Sequence, residues 1–309
     1  MSIFLITSSD YNRDVPNGMS RAEAKEHYLK MYGDFEPKMP DPATLLERFE
    51  DKWILRADLA PAGLKAYGAE KVIAETKEDI LVYCAPRVGH APDAIATLAE
   101  MYGKRCVFFC PAAKEASKHQ AVLKARKADL RFIKIAAMPT LNVYAKRWAE
   151  KHGAKFLPFG LSGVPEVIAG LVKLADRITQ TIGEPSEVWM AVSTGTAIRA
   201  FQIGWPNAKA CGVAVARNMH DGEIGVAKLR SAAIPFLRSV KPRELPPFQS
   251  TANYDAKAWL DFVEHAAPGA IFINVGADAE IERFLTPGLV ESIDSQREWG
   301  DMRDLERGV

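Results

Sequence analysis

The chain has 309 residues, with 40 Lys and Arg against 39 Asp and Glu, a formal charge of +1, and 48% hydrophobic residues. That length holds one large or two modest domains, and the balanced charge lacks the basic excess of a dedicated nucleic-acid binder, leaving only a local patch open. Cys84, Cys106, Cys110 and Cys211 show no C-x-x-C spacing and three lie in apolar strand-like runs, which predicts reduced core thiols and a cytoplasmic protein, or one of the host cytoplasm if the source is viral.

Residues 1–7 are apolar but lack a basic flank and are far too short for a signal or membrane span, so they read as a strand. No other stretch approaches the length of a membrane span, and a soluble protein is expected. Residues 8–45 are polar and broken by Asn17-Gly18, Gly33, Pro37, Pro40 and Pro42, with one helix predicted from Ser20 to about Tyr32 because Ser20 and Glu23 have capping-box spacing. Tyr28, Met31, Tyr32 and Phe35 need apolar neighbours, so this arm is expected to wrap the body or a second subunit.

Leu59 to Val72 runs from a strand end through the turn Pro61-Ala62-Gly63 into a helix, with Lys65 at the turn. An amine held inward on rigid backbone loses part of its hydration, which lowers its pKa and equips it to attack a carbonyl. The plain alternative is a solvated first-turn lysine.

From Asp79 the pattern becomes regular. Strands are predicted at Ile80–Cys84, Cys106–Cys110, Phe132–Ile135 and Phe156–Phe159, separated by helices from Ala91 to Tyr102, Lys114 to Lys127 and Thr140 to His152. Gly160 to Gly163 form a break before a long helix from Pro165 to about Thr181. A strand at Val188–Val192, the turn Ser193-Thr194-Gly195-Thr196, a helix to Gly204 and a strand from Ala210 to Val215 follow. Residues 240–252 read as a proline-rich loop, then come a helix from Tyr254 to His265, a strand over Ala270–Asn274, and a charged end from Asp294 that is expected to fray. Apolar strands alternating with amphipathic helices predict parallel strands joined by right-handed crossovers: an α/β protein of two doubly wound parallel-sheet domains with a cleft between them.

Ser193 to Thr196 come directly after a buried strand and before a helix, where backbone N–H groups, a helix dipole and three hydroxyls suit a phosphate as well as ordinary capping. Pro86-Arg87-Val88-Gly89-His90 joins a strand to a helix in the same way. His27, His119, His152, His220 and His265 lack metal-ligand spacing, and no metal is expected.

Pro61-Ala62-Gly63-Leu64-Lys65-Ala66-Tyr67-Gly68-Ala69 resembles P-x-G-S-F-K-D-R-G-A, the segment around the cofactor lysine of the fold-type-II pyridoxal-phosphate (PLP) enzymes, the superfamily of tryptophan synthase β, threonine dehydratase and cysteine synthase. The match falls on the proline, the glycine, the lysine and Gly-Ala. Phe49 to Leu59 is similar to the segment that enters this lysine in the 1-aminocyclopropane-1-carboxylate deaminase and D-cysteine desulfhydrase branch, and the Ser193 to Thr196 turn resembles that branch's phosphate cup. The resemblance spans roughly residues 49–285.

It implies pyridoxal 5'-phosphate as cofactor, a Schiff base at Lys65, which is also the base, and a phosphate held by Ser193, Thr194, Gly195 and Thr196. Where the superfamily has S-x-G-N, Arg87 stands for the serine and His90 for the asparagine. His90 is then expected to donate to the cofactor's ring oxygen, and Arg87 and Gly89 to bind a substrate carboxylate or phosphate. Asn274-Val275-Gly276-Ala277 stands where relatives have H-T-G-G beside the pyridine nitrogen. Valine cannot hydrogen-bond that nitrogen, which leaves the ring a weaker electron sink unless Asn274 turns inward.

The implied organisation is a larger cofactor-binding domain of residues 1–76 and 160–309, with 1–45 as an arm, and a smaller domain of 77–159, in a homodimer. The implied function is a PLP-dependent lyase, deaminase or decarboxylase acting on an amino acid or an aminoacyl-bearing molecule. The altered carboxylate loop points away from a free amino acid, for example to an amino-acid-modified nucleobase of phage DNA hypermodification, the one way nucleic acid would enter. The alternatives are a catalytically degenerate scaffold on the same fold, or a nucleotide-binding α/β protein using the 193–196 loop alone, for which no G-x-G-x-x-G or Walker A pattern is present.

Overall fold

The structure is a computed structural model that describes residues 11–111, 115–134, 137–217, 219, 222–236, 238–287, 289–290, 293 and 299–300. The strand expected at 1–7, His220, the ends of two predicted elements at Lys114 and Ile135, and most of the charged end lie outside the described residues. The chain divides into two units, residues 1–71 with 163–278 and residues 72–162 with 279–309.

In the first unit, Ser20 and Glu23 form both halves of the predicted capping box, opening α1 (Arg21–Tyr32), which packs on α6 (Pro165–Ile182). The arm helix is thus laid against its own unit through Tyr28 and Tyr32, both buried. A six-stranded sheet carries the order β1 (Leu46–Phe49), β2 (Lys52–Arg56), β10 (Ile271–Asn274), β7 (Glu187–Val192), β8 (Lys209–Ala214) and β9 (Lys228–Ser231). Only β1 runs antiparallel to its neighbour. Helices on both faces explain why β7 and β10 read as continuous apolar runs instead of alternating ones. On one face Ile54, Trp189, Val213 and Phe272 pack against Trp259 and Phe262 of α8 (Asp255–His265). Elsewhere α2 (Leu64–Glu75) meets α6 so closely at Gly68 and Gly170 that a Cβ on Gly170 would lie 2.6 Å from the Tyr67 carbonyl oxygen.

The second unit has a parallel sheet in the order β11 (Trp299–Gly300), β5 (Asp129–Ile133), β4 (Arg105–Pro111), β3 (Ile80–Cys84) and β6 (Lys155–Phe156). Trp299 lies opposite Phe132, so chain from beyond residue 278, expected in the larger domain, belongs to this sheet. Val82, Cys84, Val107, Phe109 and Ile133 bury against Leu141, Ala145 and Ala149 of α5 (Met138–Lys151). α3 (Ala91–Met101) and α4 (Lys118–Ala125) complete the crossovers. All four cysteines are buried and unbridged, and burial pushes the Cys84 and Cys106 thiols up to about 12 and Cys211 to about 11. Among the described residues no helix is long and apolar enough to cross a membrane.

Candidate functional site

In the first unit β2, β10 and β7 are adjacent and parallel, so their carboxyl ends open on one edge of the sheet, about 5 Å apart per strand. Ligands in open α/β sheets bind at that edge. Each of the three strand ends carries one of the features singled out in the sequence.

After β2, a 3-10 turn over Ala57–Leu59 and the turn Pro61-Ala62-Gly63 lead into α2, with Lys65 as its second residue. Gly63 has φ +74°, and a side chain there would collide with the Val275 carbonyl oxygen, which accepts the Leu64 N–H at 3.0 Å. The helix start is therefore pinned to the residue following β10. Lys65 is half-buried, and loss of hydration together with the Arg199 charge lowers its amine pKa to about 8.

After β7, Ser193 and Thr194 are half-buried and Gly195 and Thr196 buried, at the head of α7 (Thr196–Gly204). Gly195 is the N-cap residue at φ +71°, so no side chain caps the helix, and the Thr194 and Thr196 hydroxyls lie 3.3 Å apart. A helix N-terminus with backbone N–H groups and two hydroxyls suits an anion. Arg199, wholly buried one turn in, lies beneath this loop: Nη1 donates to the carbonyl oxygens of Thr194 (3.1 Å) and Glu223, and Nε donates to Asp14 Oδ2 (2.6 Å).

At the end of β10, Asn274 is fully buried but turned to structural use. Its Nδ2 donates to Asp58 Oδ1 (2.6 Å) and the Gln249 carbonyl (2.8 Å), and its Oδ1 accepts from Ser250 (2.8 Å). Asp58 in turn takes a bidentate Arg56 at 2.8 and 2.9 Å. The polar group beside this turn is Asp255 at the start of α8, wholly buried, with neither carboxyl oxygen meeting a donor at hydrogen-bonding geometry. Burial raises its pKa well above the ordinary value, and the nearby Asp58 and Asp278 carboxylates raise it further. The Val275 and Gly276 N–H groups oppose this only in part.

Replacing Asp255 by asparagine is expected to raise the melting temperature. The folded pKa lies above the unfolded one, so between the two the folded state holds a proton the unfolded chain has released, and stability falls as pH rises. Asparagine removes that loss. Thermal denaturation at pH 7 should show the variant more stable by about 1 kcal/mol or more, about 2–4 °C, with the difference shrinking toward pH 4. An equal gain at both pH values would mean that the carboxyl is ionised in the fold.

In the second unit, Arg87, Gly89 and His90 follow β3 at the carboxyl edge of that sheet. Arg87 is exposed and its Nη1 donates to the Glu115 carbonyl at 3.0 Å, tying its loop to the one after β4. Gly89 has φ +147°. His90 is half-buried, stands at the N-cap position of α3, and meets the His119 ring edge-on at 5.5 Å. Burial lowers its pKa to about 4, so the imidazole is neutral at pH 7. Among the described residues no three His, Cys, Asp or Glu gather as a metal site.

No protein-family model matches the chain, and no curated protein does. Solved structures do. A 1-aminocyclopropane-1-carboxylate (ACC) deaminase homologue superposes with TM-score 0.65 at 16% identity over 81% of this chain and 94% of its own. Maize serine racemase gives 0.60 at 12% identity over 90% and 97%, and a pyridoxal 5'-phosphate-dependent aspartate racemase gives 0.56 at 14% over 84% and 97%. The chain has the fold-type-II architecture of these proteins, as its sequence resemblance implied.

Proposed function

We propose that this protein is a PLP-dependent enzyme of the lyase, deaminase or racemase kind, acting on the amino group of an amino acid or of a larger aminoacyl-bearing molecule. The observation that carries the reading is the convergence of Lys65, the Ser193–Thr196 loop and the turn beside Asp255 on the carboxyl ends of three adjacent parallel strands. The residues fit the cofactor's three polar parts. Lys65 would take the carbonyl, the α7 N-terminus the phosphate, and the buried Asp255 the pyridine nitrogen, a role that Val275 cannot fill and that Asn274, bonded to Asp58, does not serve. Bound PLP supplies a carbonyl that condenses with amines and a ring that accepts electrons.

The chain's own residues do the rest. At a pKa of about 8, Lys65 is neutral in about one molecule in ten at pH 7, against about one in three thousand for an ordinary lysine. The neutral Nζ is a nucleophile and, once released, a base for a substrate proton. Asp255, buried at the start of α8 beside Val275 and Gly276, would hydrogen-bond the pyridine nitrogen of a bound PLP. His90, neutral at pH 7, is assigned a donor role toward the cofactor's oxygen, and Arg87 with Gly89 the substrate's anionic group.

Titration of the purified protein with PLP should give one yellow equivalent, displaced by millimolar inorganic phosphate because both anions use the same loop. A protein that binds PLP unaffected by phosphate, or binds none, would sink the reading. Arg87→Lys should lower kcat/KM about tenfold or more, about 1.4 kcal/mol, with the bound cofactor's spectrum intact. Wild-type kinetics would make Arg87 a surface residue.

A further inference from the structure

Arg199 is the one charged side chain on α7, and it is wholly buried. One turn later Gln202 does a similar mechanical task without charge. Its Oε1 accepts from Asn12 Nδ2 (3.2 Å) and the Val226 N–H (3.1 Å), and its Nε2 donates to the Ile224 carbonyl (2.6 Å). Both residues staple the segment around Asn12–Asp14 and the 222–226 loop to α7, Asn12 Nδ2 also donating to the Arg199 carbonyl at 2.9 Å. Stapling alone is thus served by an amide, whereas a buried guanidinium carries a desolvation cost that an amide avoids. The charge at 199 calls for another reason.

Its position supplies one. A Cβ placed on Gly195 would lie 2.8 Å from Arg199 Nη1, so the guanidinium sits directly under the residue that heads the anion loop. Asp14 is bound on the Nε edge, away from the Nη1 that holds Thr194. The pair is neutral in sum but oriented, with its positive end toward the loop. Arg13 and Glu223 also face the guanidinium.

We propose that Arg199 is a positioning residue for the Ser193–Thr196 loop and that the Arg199–Asp14 pair sets the positive potential there, Asp14 holding it below its maximum. This rests on the anion-binding reading of the loop. The field acts on Lys65 as well, whose ammonium is disfavoured by the same guanidinium.

The two partners therefore have opposite expected effects, which a merely structural pair would not show. Asp14→Asn keeps an acceptor for Nε but removes the negative charge, so inorganic phosphate should bind about 3- to 10-fold more tightly. Arg199→Gln should weaken it about 10-fold or more, and Arg199→Lys should restore most of the loss. The same variants, free of cofactor, should shift the pH midpoint of Lys65 alkylation, read by peptide mass spectrometry: down for Asp14→Asn and up for Arg199→Gln. If both weaken phosphate and move the Lys65 midpoint in one direction or not at all, the pair is a tether only and the proposal is overturned. Asp14→Asn and Arg199→Lys decide the matter alone if Arg199→Gln does not fold. Opposite Lys65 shifts with no phosphate bound by any variant would uphold the charge pair and remove the cofactor phosphate from the loop.

Discussion

With Lys65 replaced by alanine, borohydride is expected to fix no PLP on the chain, whereas in the wild type it fixes one pyridoxyl group on Lys65. Turnover of any amine the wild type consumes should fall a thousandfold or more, about 4 kcal/mol, because the variant loses both the nucleophile and the base. The wild-type attachment rate carries a second signature. The neutral amine attacks and its pKa is about 8, so the rate should rise about tenfold per unit below that pH and level off above it. An ordinary lysine would keep rising past pH 10. A pyridoxyl group recovered on another lysine, or a rate without the inflection near 8, would remove Lys65 from the chemistry.

Gly195→Ala is expected to destabilise the fold by about 2–4 kcal/mol, enough to lower the melting temperature by roughly 5 °C or more. The residue sits at φ +71°, which favours glycine, and its missing side chain faces the Glu223 carbonyl oxygen and the Arg199 guanidinium. The Cβ direction points into the protein, at backbone that cannot yield. Loss of anion binding should therefore come together with loss of stability in thermal melts of the cofactor-free protein. An alanine variant as stable as wild type would mean that the loop does not pack on Glu223.

Most of the frame was legible because it is written locally. The capping box at Ser20 and Glu23, the apolar runs of β3, β4, β7 and β10, and the glycine-marked turns each state their conformation within a few residues. What was missed has a common cause. β9, Lys-Leu-Arg-Ser, is a partly exposed edge strand with neither an apolar run nor alternation, and β1 is another edge. α4 begins at Lys118, later than the helix predicted from Lys114, where Ser117 and Gln120 form a second capping box. Asp255 reads as an ordinary acid in a first helical turn, and only burial against the chain near residue 275 makes it an unsatisfied acid. Arg199 and Asp14 are 185 residues apart, a pairing no local pattern announces. Asn274, expected near the pyridine nitrogen through the resemblance, donates to Asp58, 216 residues earlier.

The interleaving of the two units also bears on how the chain is made. Trp53 of β2 pairs with Ile271 of β10, more than two hundred residues later, while the body of the second unit, residues 72–162, is contiguous. During synthesis that inner segment can collapse as soon as it emerges, but β2 waits without a parallel partner until β10 arrives. At 5–20 residues per second, its apolar face is uncovered for about 10–40 seconds. Loop-closure entropy grows only slowly with length, so the delay costs little in final stability and much in exposure to wrong pairing. The seam that brings Lys65 beside Val275 is among the last to close on the ribosome, and a chain halted before residue 271 has the lysine but no edge to present it on.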